Sequence, residues 1–185
     1  HAYDDSRQMF WCDKVTGLSE NFWLRAMGWY AMALIDTMEV MPESMACQKA
    51  RLNAIYKELI DAMLPYQDQA TGMWYQVVNR GGIAPNYLEE YAIFAYAIMK
   101  SVRLHYLPEE YFKYGQKAFD GICSTYLSEK DGSLQLGGIC LVAGLGNTDM
   151  REGTFEYYMR EPVVENEAKG IAPLILAYIE TMFRC

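Results

Sequence analysis

Asn21-Phe22-Trp23-Leu24-Arg25-Ala26-Met27-Gly28-Trp29-Tyr30 runs on to Met41 with no proline and one glycine, and Pro42 follows. At about 3.6 residues per turn this is room for roughly five turns of α-helix, from Phe22 to Met41. A surface helix of that length carries an apolar stripe and a charged one. This run is apolar nearly all round, with Arg25, Asp36 and Glu39 as its only charges. It reads as an inner helix, covered on most sides by other helices, with Ser19 as its N-cap. Arg25 sits in the first turn among Trp23, Met27 and Trp29. A guanidinium there needs an acidic partner in a packed core, or a cavity in which an anion meets it. Arg25 and Trp29 are four apart and share a face. That pairing suits a carboxylated sugar, with the fork on the carboxylate and the indole on the apolar sugar face. Both readings of Arg25 stand at this point.

The pattern then repeats. Ser44 to about Leu64 is amphipathic, with Lys49, Arg51, Lys57, Glu58 and Asp61 opposite Leu52, Ile55, Leu59 and Met63, and reads as an outer helix. Asp68 to Gly72 is a turn of the same form as Asp13 to Gly17, and Met73 to Val78 reads as a short strand. Tyr87 to Leu104 is a second inner helix, and Pro108 to about Leu127 a second amphipathic outer one. Glu129 to Gly132 is a turn, Gly137 to Gly146 a glycine-rich strand and loop, and Phe155 to Pro162 an aromatic loop. Ala168 to Phe183 is a third inner helix, with Pro173 in its first turns where proline is tolerated. Units of about 55 to 80 residues, each a helical hairpin unable to bury its inner face alone, belong to arrays that close or stack. The expected fold is all-α, an α/α toroid present as roughly half a ring over residues 1–185, a single partial domain.

Composition narrows the function. The 185 residues are 52% hydrophobic and carry a formal charge of −8, which argues against nucleic acid or an anionic membrane as partner. No apolar run reaches transmembrane length. Cys12, Cys47, Cys123, Cys140 and Cys185 are odd in number and widely spaced, as free thiols in a reducing, cytoplasmic setting are. With only His1 and His105, a histidine-rich metal site is ruled out. The chain opens without an initiator methionine, which reads as a fragment.

The loops before the inner helices concentrate aromatics and carboxylates. They are His1 to Asp5 with Trp11, Trp74-Tyr75-Gln76 with Asn86 to Glu89, and Tyr157-Tyr158 with Glu161, Glu165, Asn166 and Glu167. Stacking platforms such as Trp74 and Tyr158 beside carboxylates are what glycoside hydrolysis requires, although ordinary loop composition would give the same list.

These residues also form an ordered set of motifs. His1-Ala2-Tyr3-Asp4-Asp5-Ser6, Thr16-Gly17-Leu18-Ser19 and Phe22 to Leu34 resemble the unsaturated rhamnogalacturonyl hydrolases, glycoside hydrolase family 105. So do Thr71 to Val77, Asn86 to Glu89, Gly144-Leu145-Gly146, Glu156 to Pro162 and Asn166 to Gly170. The resemblance implies the C-terminal half of an (α/α)6 barrel and an unsaturated uronyl oligosaccharide as substrate, with no metal or cofactor. It implies hydration of a vinyl ether by an aspartic acid. It places His1, Arg25 and Trp29 at substrate-contacting positions, with Asp4 in the same loop motif as His1. The family's acid/base lies in an Asp-Gly-x-Tyr-Met motif that this sequence lacks, and Asn166-Glu167 stands where Asn-Asp is usual. The expectation is a substrate wall without its acid/base, needing the missing N-terminal half or self-association into a dimer. An unsaturated glucuronyl hydrolase and a non-catalytic helical-repeat module are the alternatives.

Overall fold

The computed structural model describes residues 19–87, 92–144 and 151–184. Among them are α1 (Leu24–Val40), α2 (Ala46–Met63), α3 (Ile93–Arg103), α4 (Phe112–Tyr126), β1 (Leu127–Lys130), β2 (Ser133–Leu136), β3 (Ile139–Cys140), α5 (Phe155–Arg160), β4 (Val163–Val164) and α6 (Ala168–Met182). The inner layer is α1, α3 and α6, with α3 in the middle packing against both others. The outer layer is α2 against α1 and α4 against α3. Alternating inner and outer helices in this order form an arc of an α/α toroid.

The middle helix is enclosed on every side. All of α3 from Ile93 to Val102 is buried, including Lys100 and Ser101. On α1 burial follows one stripe, through Leu24, Gly28, Ala31, Leu34, Ile35 and Met38. The seam between α1, α2 and α3 is pinned at two carbonyls: Tyr56 donates to Ala97 O at 2.7 Å and Tyr106 to Met38 O at 3.0 Å.

Charged side chains join the three inner helices toward their C-terminal ends. Lys100 Nζ donates to Asp36 at 2.7 Å and to Tyr96 Oη at 2.8 Å, and lies 2.7 Å from Glu39. Arg103 grips the buried Glu180 of α6 with Nε at 2.7 Å and an Nη at 2.9 Å. Burial alone would lower the Lys100 pKa, but its bonds to Asp36, Glu39 and Tyr96 outweigh that and raise it. Tyr96 is pushed up to about 12, mainly by burial.

The outer layer approaches the Asp68 to Gly72 turn closely. A Cβ at Gly121 would meet Thr71 O at 1.9 Å, so α4 can lie there only with a bare backbone. The turn closes on its own carboxylate, since Asp68 Oδ1 accepts from Thr71 N at 2.8 Å and Ala70 N at 3.1 Å. Those amides, with Thr71 N foremost, hold the Asp68 carboxyl below its usual range.

Several local expectations change. Ser19 does not cap α1: its Oγ donates to Asn21 O at 3.0 Å, and Trp23 occupies the cap position without a side-chain bond. Residues 73–78 form no continuous strand, only isolated bridges at Tyr75 and at Val77, the latter to Trp23. Residues 127–136, of which Leu127 reads as a helix end and Glu129 to Gly132 as a turn, form the β1–β2 hairpin across Asp131 (φ 52°) and Gly132 (φ 73°), the geometry a two-residue Asp-Gly turn favours. Phe155 to Arg160, read as loop, is helix α5, started by Thr154, whose hydroxyl accepts from Tyr157 N at 3.1 Å.

Candidate functional site

The loops before α1, α3 and α6 gather at one end of the inner layer. Backbone bonds join the first two: Leu24 N donates to Gln76 O at 2.9 Å and Val78 N to Phe22 O at 2.8 Å. Asparagines complete the joint. Asn79 accepts from Phe22 N at 2.9 Å and donates to Glu20 O at 2.8 Å. Asn86 accepts from Val77 N at 3.2 Å and donates back to Val77 O at 2.9 Å. The third loop arrives through Asn21, which donates to Gly153 O at 2.9 Å, and through Tyr158, which stacks on Trp23 with ring centroids 5.8 Å apart. Side-chain amides suit this work because one group supplies donor and acceptor together.

Arg25 lies at the centre of this joint and is only 3% exposed. It donates to the carbonyl of Cys140 in β3, and its guanidinium carbon sits 5.2 Å from the centre of the Trp23 ring. In this contact Arg25 meets a backbone carbonyl. Arg25 ties α1 to the short β3–β4 ladder, in which Ile139 pairs with Val164 and Cys140 with Val163. One helical turn on, Trp29 is 42% exposed, and Tyr30 beside it is also exposed. The shared face of Arg25 and Trp29 thus runs from the buried joint into the open.

The remaining sequence candidates separate. Trp74 is 3% exposed, donates its indole N–H to Met63 O at 2.9 Å and packs on Phe94, so it is a core residue with no ring face for a sugar. Tyr158 is buried as well, and burial pushes its phenol up. Its ring is spent on Trp23 and Tyr157. His1, Asp4 and Trp11 lie outside the described residues, as do Leu88 and Glu89. Asn166 clamps β2 by accepting from Leu136 N at 2.9 Å, at a left-handed φ of 56°. Glu167 caps α6, accepting from Lys169 N at 3.0 Å, which is the main reason its carboxyl is held low.

Sequence reasoning gave no role to Asn21, Asn79 or Gln76. Gln76 is fully buried, and neither its side-chain amide nor the indole N–H of Trp23 has a hydrogen-bond partner among the described residues. The one available signal was proximity, since Gln76 follows the Trp-Tyr pair already singled out. No group of three His, Cys, Asp or Glu among the described residues could hold a metal ion. Nor is any helix among them long and apolar enough to cross a membrane. Cys47 is an exposed free thiol, whereas Cys123 is half-buried and Cys140 buried.

With this geometry in view, the likeness to known proteins is specific. The family model described as Glycosyl Hydrolase Family 88 matches residues 1–184. A curated protein of Agrobacterium fabrum is 40% identical over 191 aligned residues, 98% of this chain and 81% of that protein. The 24.9 kDa protein in the picA locus of Rhizobium radiobacter matches to the same extent. A solved family 105 glycoside hydrolase of C. acetobutylicum is 44% identical with a TM-score of 0.92, over 98% of this chain and 51% of that one. A structure described as a possible family 105 member from Salmonella enterica is 25% identical with a TM-score of 0.71, over 88% of this chain and 40% of that one. This chain spans about half the length of these solved structures. An α/α-toroid arc of the family 105 kind, matched from end to end by one family model, makes this chain a member of glycosyl hydrolase family 88.

Proposed function

We propose that the chain forms part of a glycoside hydrolase acting on oligosaccharides that end in an unsaturated galacturonyl residue joined to rhamnose, the fragments left by lyase cleavage of rhamnogalacturonan. The observation that carries the reading is the family match across residues 1–184. In the proposed chemistry an aspartic acid protonates the vinyl-ether double bond and water adds to the adjacent ring carbon. The hemiketal so formed opens and releases rhamnose, with no metal or cofactor taking part. Trp29, 42% exposed and one helical turn from Arg25, is the described residue proposed to stack on the sugar. The odd number and wide spacing of the cysteines fit a reducing, cytoplasmic setting.

The motif Asp-Gly-x-Tyr-Met does not occur in these 185 residues, so the chain by itself is expected to bind substrate and turn it over little. The test is calorimetric binding of an unsaturated galacturonyl–rhamnose disaccharide, with loss of its double-bond ultraviolet absorbance as the activity readout. We expect binding, weakened on the order of tenfold in Trp29→Ala as stacking is lost, and negligible turnover. Turnover at the rate of full-length relatives would contradict the missing acid/base and point to Asp4. Tighter binding of an unsaturated glucuronyl disaccharide would move the substrate to that class.

A second reading, a non-catalytic helical-repeat module, is favoured by one observation: Arg25 is enclosed and donates to the Cys140 carbonyl. Absence of binding to either disaccharide would select it.

A further inference from the structure

The strand β3 has two residues and pairs with the equally short β4. A ladder of that length is too short to hold its own position, yet Arg25 is anchored on it. Cations from two helices reach this strand. Arg25 of α1 donates to the carbonyl of Cys140, and Lys169 of α6 donates to the carbonyl of Leu141, the next residue.

Pro162 is the reason Leu141 has a carbonyl to offer. Leu141 N donates to Pro162 O at 2.7 Å, which is half of a hydrogen-bonded antiparallel pair. The other half would run from residue 162 to the Leu141 carbonyl, and proline has no N–H to give. The Lys169 ammonium takes that place. Lys169 is itself held by Glu167, whose carboxylate lies 3.0 Å from the ammonium and accepts from Lys169 N at 3.0 Å. Next to Glu167, Asn166 is fixed to β2, its N–H donating to Leu136 O at 2.9 Å. The charge of Arg25 is felt here too. The Glu167 carboxyl is held low by Lys169 N foremost, then by the Lys169 ammonium, and in smaller part by the Arg25 guanidinium.

We propose that Lys169 and Glu167 are positioning residues for Arg25, setting through β3 the carbonyl on which its guanidinium lies. The peptide plane that carries the Cys140 carbonyl also carries Leu141 N–H. Whatever holds Leu141 against Pro162 therefore orients the carbonyl that Arg25 meets. Arg25 is then aimed by the start of α6 and not by α1 alone. The consequence for sugar binding rests on the function proposed above: the first turns of α1, from Arg25 to Trp29, meet the sugar already ordered, and less is lost on binding.

The test reads the Arg25 side-chain N–H resonances by NMR in the whole isotopically labelled chain. They are identified by their proximity to the Trp23 ring, whose centre is 5.2 Å from the guanidinium carbon. Lys169→Met should shift them and speed their exchange with solvent on the order of tenfold, as expected of a locally loosened contact. Lys169→Arg keeps a cationic donor and should restore them. Pro162→Ala supplies an N–H for the Leu141 carbonyl, so in that background Lys169→Met should change them far less. Lys57→Met, which breaks an exposed pair on α2, should leave them as they are. Calorimetry with the unsaturated galacturonyl–rhamnose disaccharide is the second readout. Lys169→Met should weaken binding about tenfold while the melting temperature stays nearly unchanged. If the parent chain binds no disaccharide, the proposed function fails, and the resonances still decide the positioning. Resonances unmoved by Lys169→Met, moved equally by Lys57→Met, or not restored by Lys169→Arg would each overturn the proposal. So would a binding loss that only tracks a fall in melting temperature.

Discussion

α3 and α6 are built from much the same material and end in different surroundings. Both are apolar helices of the inner layer, with a single acid or base buried toward the C-terminal end. Every residue of α3 from Ile93 to Val102 is buried, because α1, α4 and α6 surround it. On α6 the buried residues are Gly170, Pro173, Ala177 and Glu180, one narrow line facing α3. The difference lies in the neighbours and not in the helices. An apolar side chain stabilises only to the extent that something removes its surface from water. The same composition therefore makes a core of one helix and an exposed face of the other.

Substitutions can break or sharpen this contrast. The largest effect is expected at the centre: Phe94→Ala, at a fully buried ring, should cost about 3–5 kcal/mol in urea unfolding. A loss near 1 kcal/mol would show α3 to be less enclosed than its burial implies. Lys100→Met removes the cation shared by Asp36 and Glu39. With those carboxylates still reaching solvent, the cost should be about 2–3 kcal/mol, below that of a fully buried pair. Gly121→Ala tests the outer layer: a methyl against Thr71 O should cost about 1–3 kcal/mol and lower the melting temperature.

A smaller effect is expected with pH. The Asp68 carboxyl is held low in the folded state, so its contribution is present above the unfolded value of about 4 and is lost as pH falls through the depressed folded value. Asp68→Asn should therefore flatten the acid side of the stability profile, measured by thermal melts from roughly pH 6 to 2. The smallest effect closes the comparison. Ile179→Ala at dilute concentration should change unfolding by less than about 0.5 kcal/mol, because its side chain faces solvent in the single chain. A cost of about 2 kcal/mol or more, as for a buried isoleucine, would show that α6 is already covered.

Much of the helical framework could be read along the chain. The inner helices stood out by the near absence of charge over long runs, and the outer ones by amphipathic spacing, which is robust over many turns. Shorter pieces were harder to read. α5 spans six residues, too few for periodicity, and its signal was the Thr154 cap. The supposed strand at residues 73–78 has strand-like residues, but its bonds go to Asn86, Phe22, Leu24 and Tyr87.

At the candidate site, chemistry identified the right region and misjudged individual roles. Trp74 and Tyr158 are aromatic whichever way they point, and composition carries no direction. The alternation of Trp74, Gln76 and Val78, with Val78 in the main core, was a usable hint that Trp74 faces inward. Nothing local could have told that Arg25 would be met by the carbonyl of Cys140, a residue 115 positions away.

The sequence by itself therefore determined where the long helices lie, which of them are inner and outer, and a set of motifs resembling those of glycoside hydrolase family 105. These are carried by local periodicity and by residue identity, both of which are written along the chain. Only the tertiary structure decided which apolar helix becomes core and which stays open, where Arg25 spends its hydrogen bonds, and which aromatic rings remain available to a sugar. Those outcomes depend on what lies beside each side chain, and its neighbours come from elements far away in sequence.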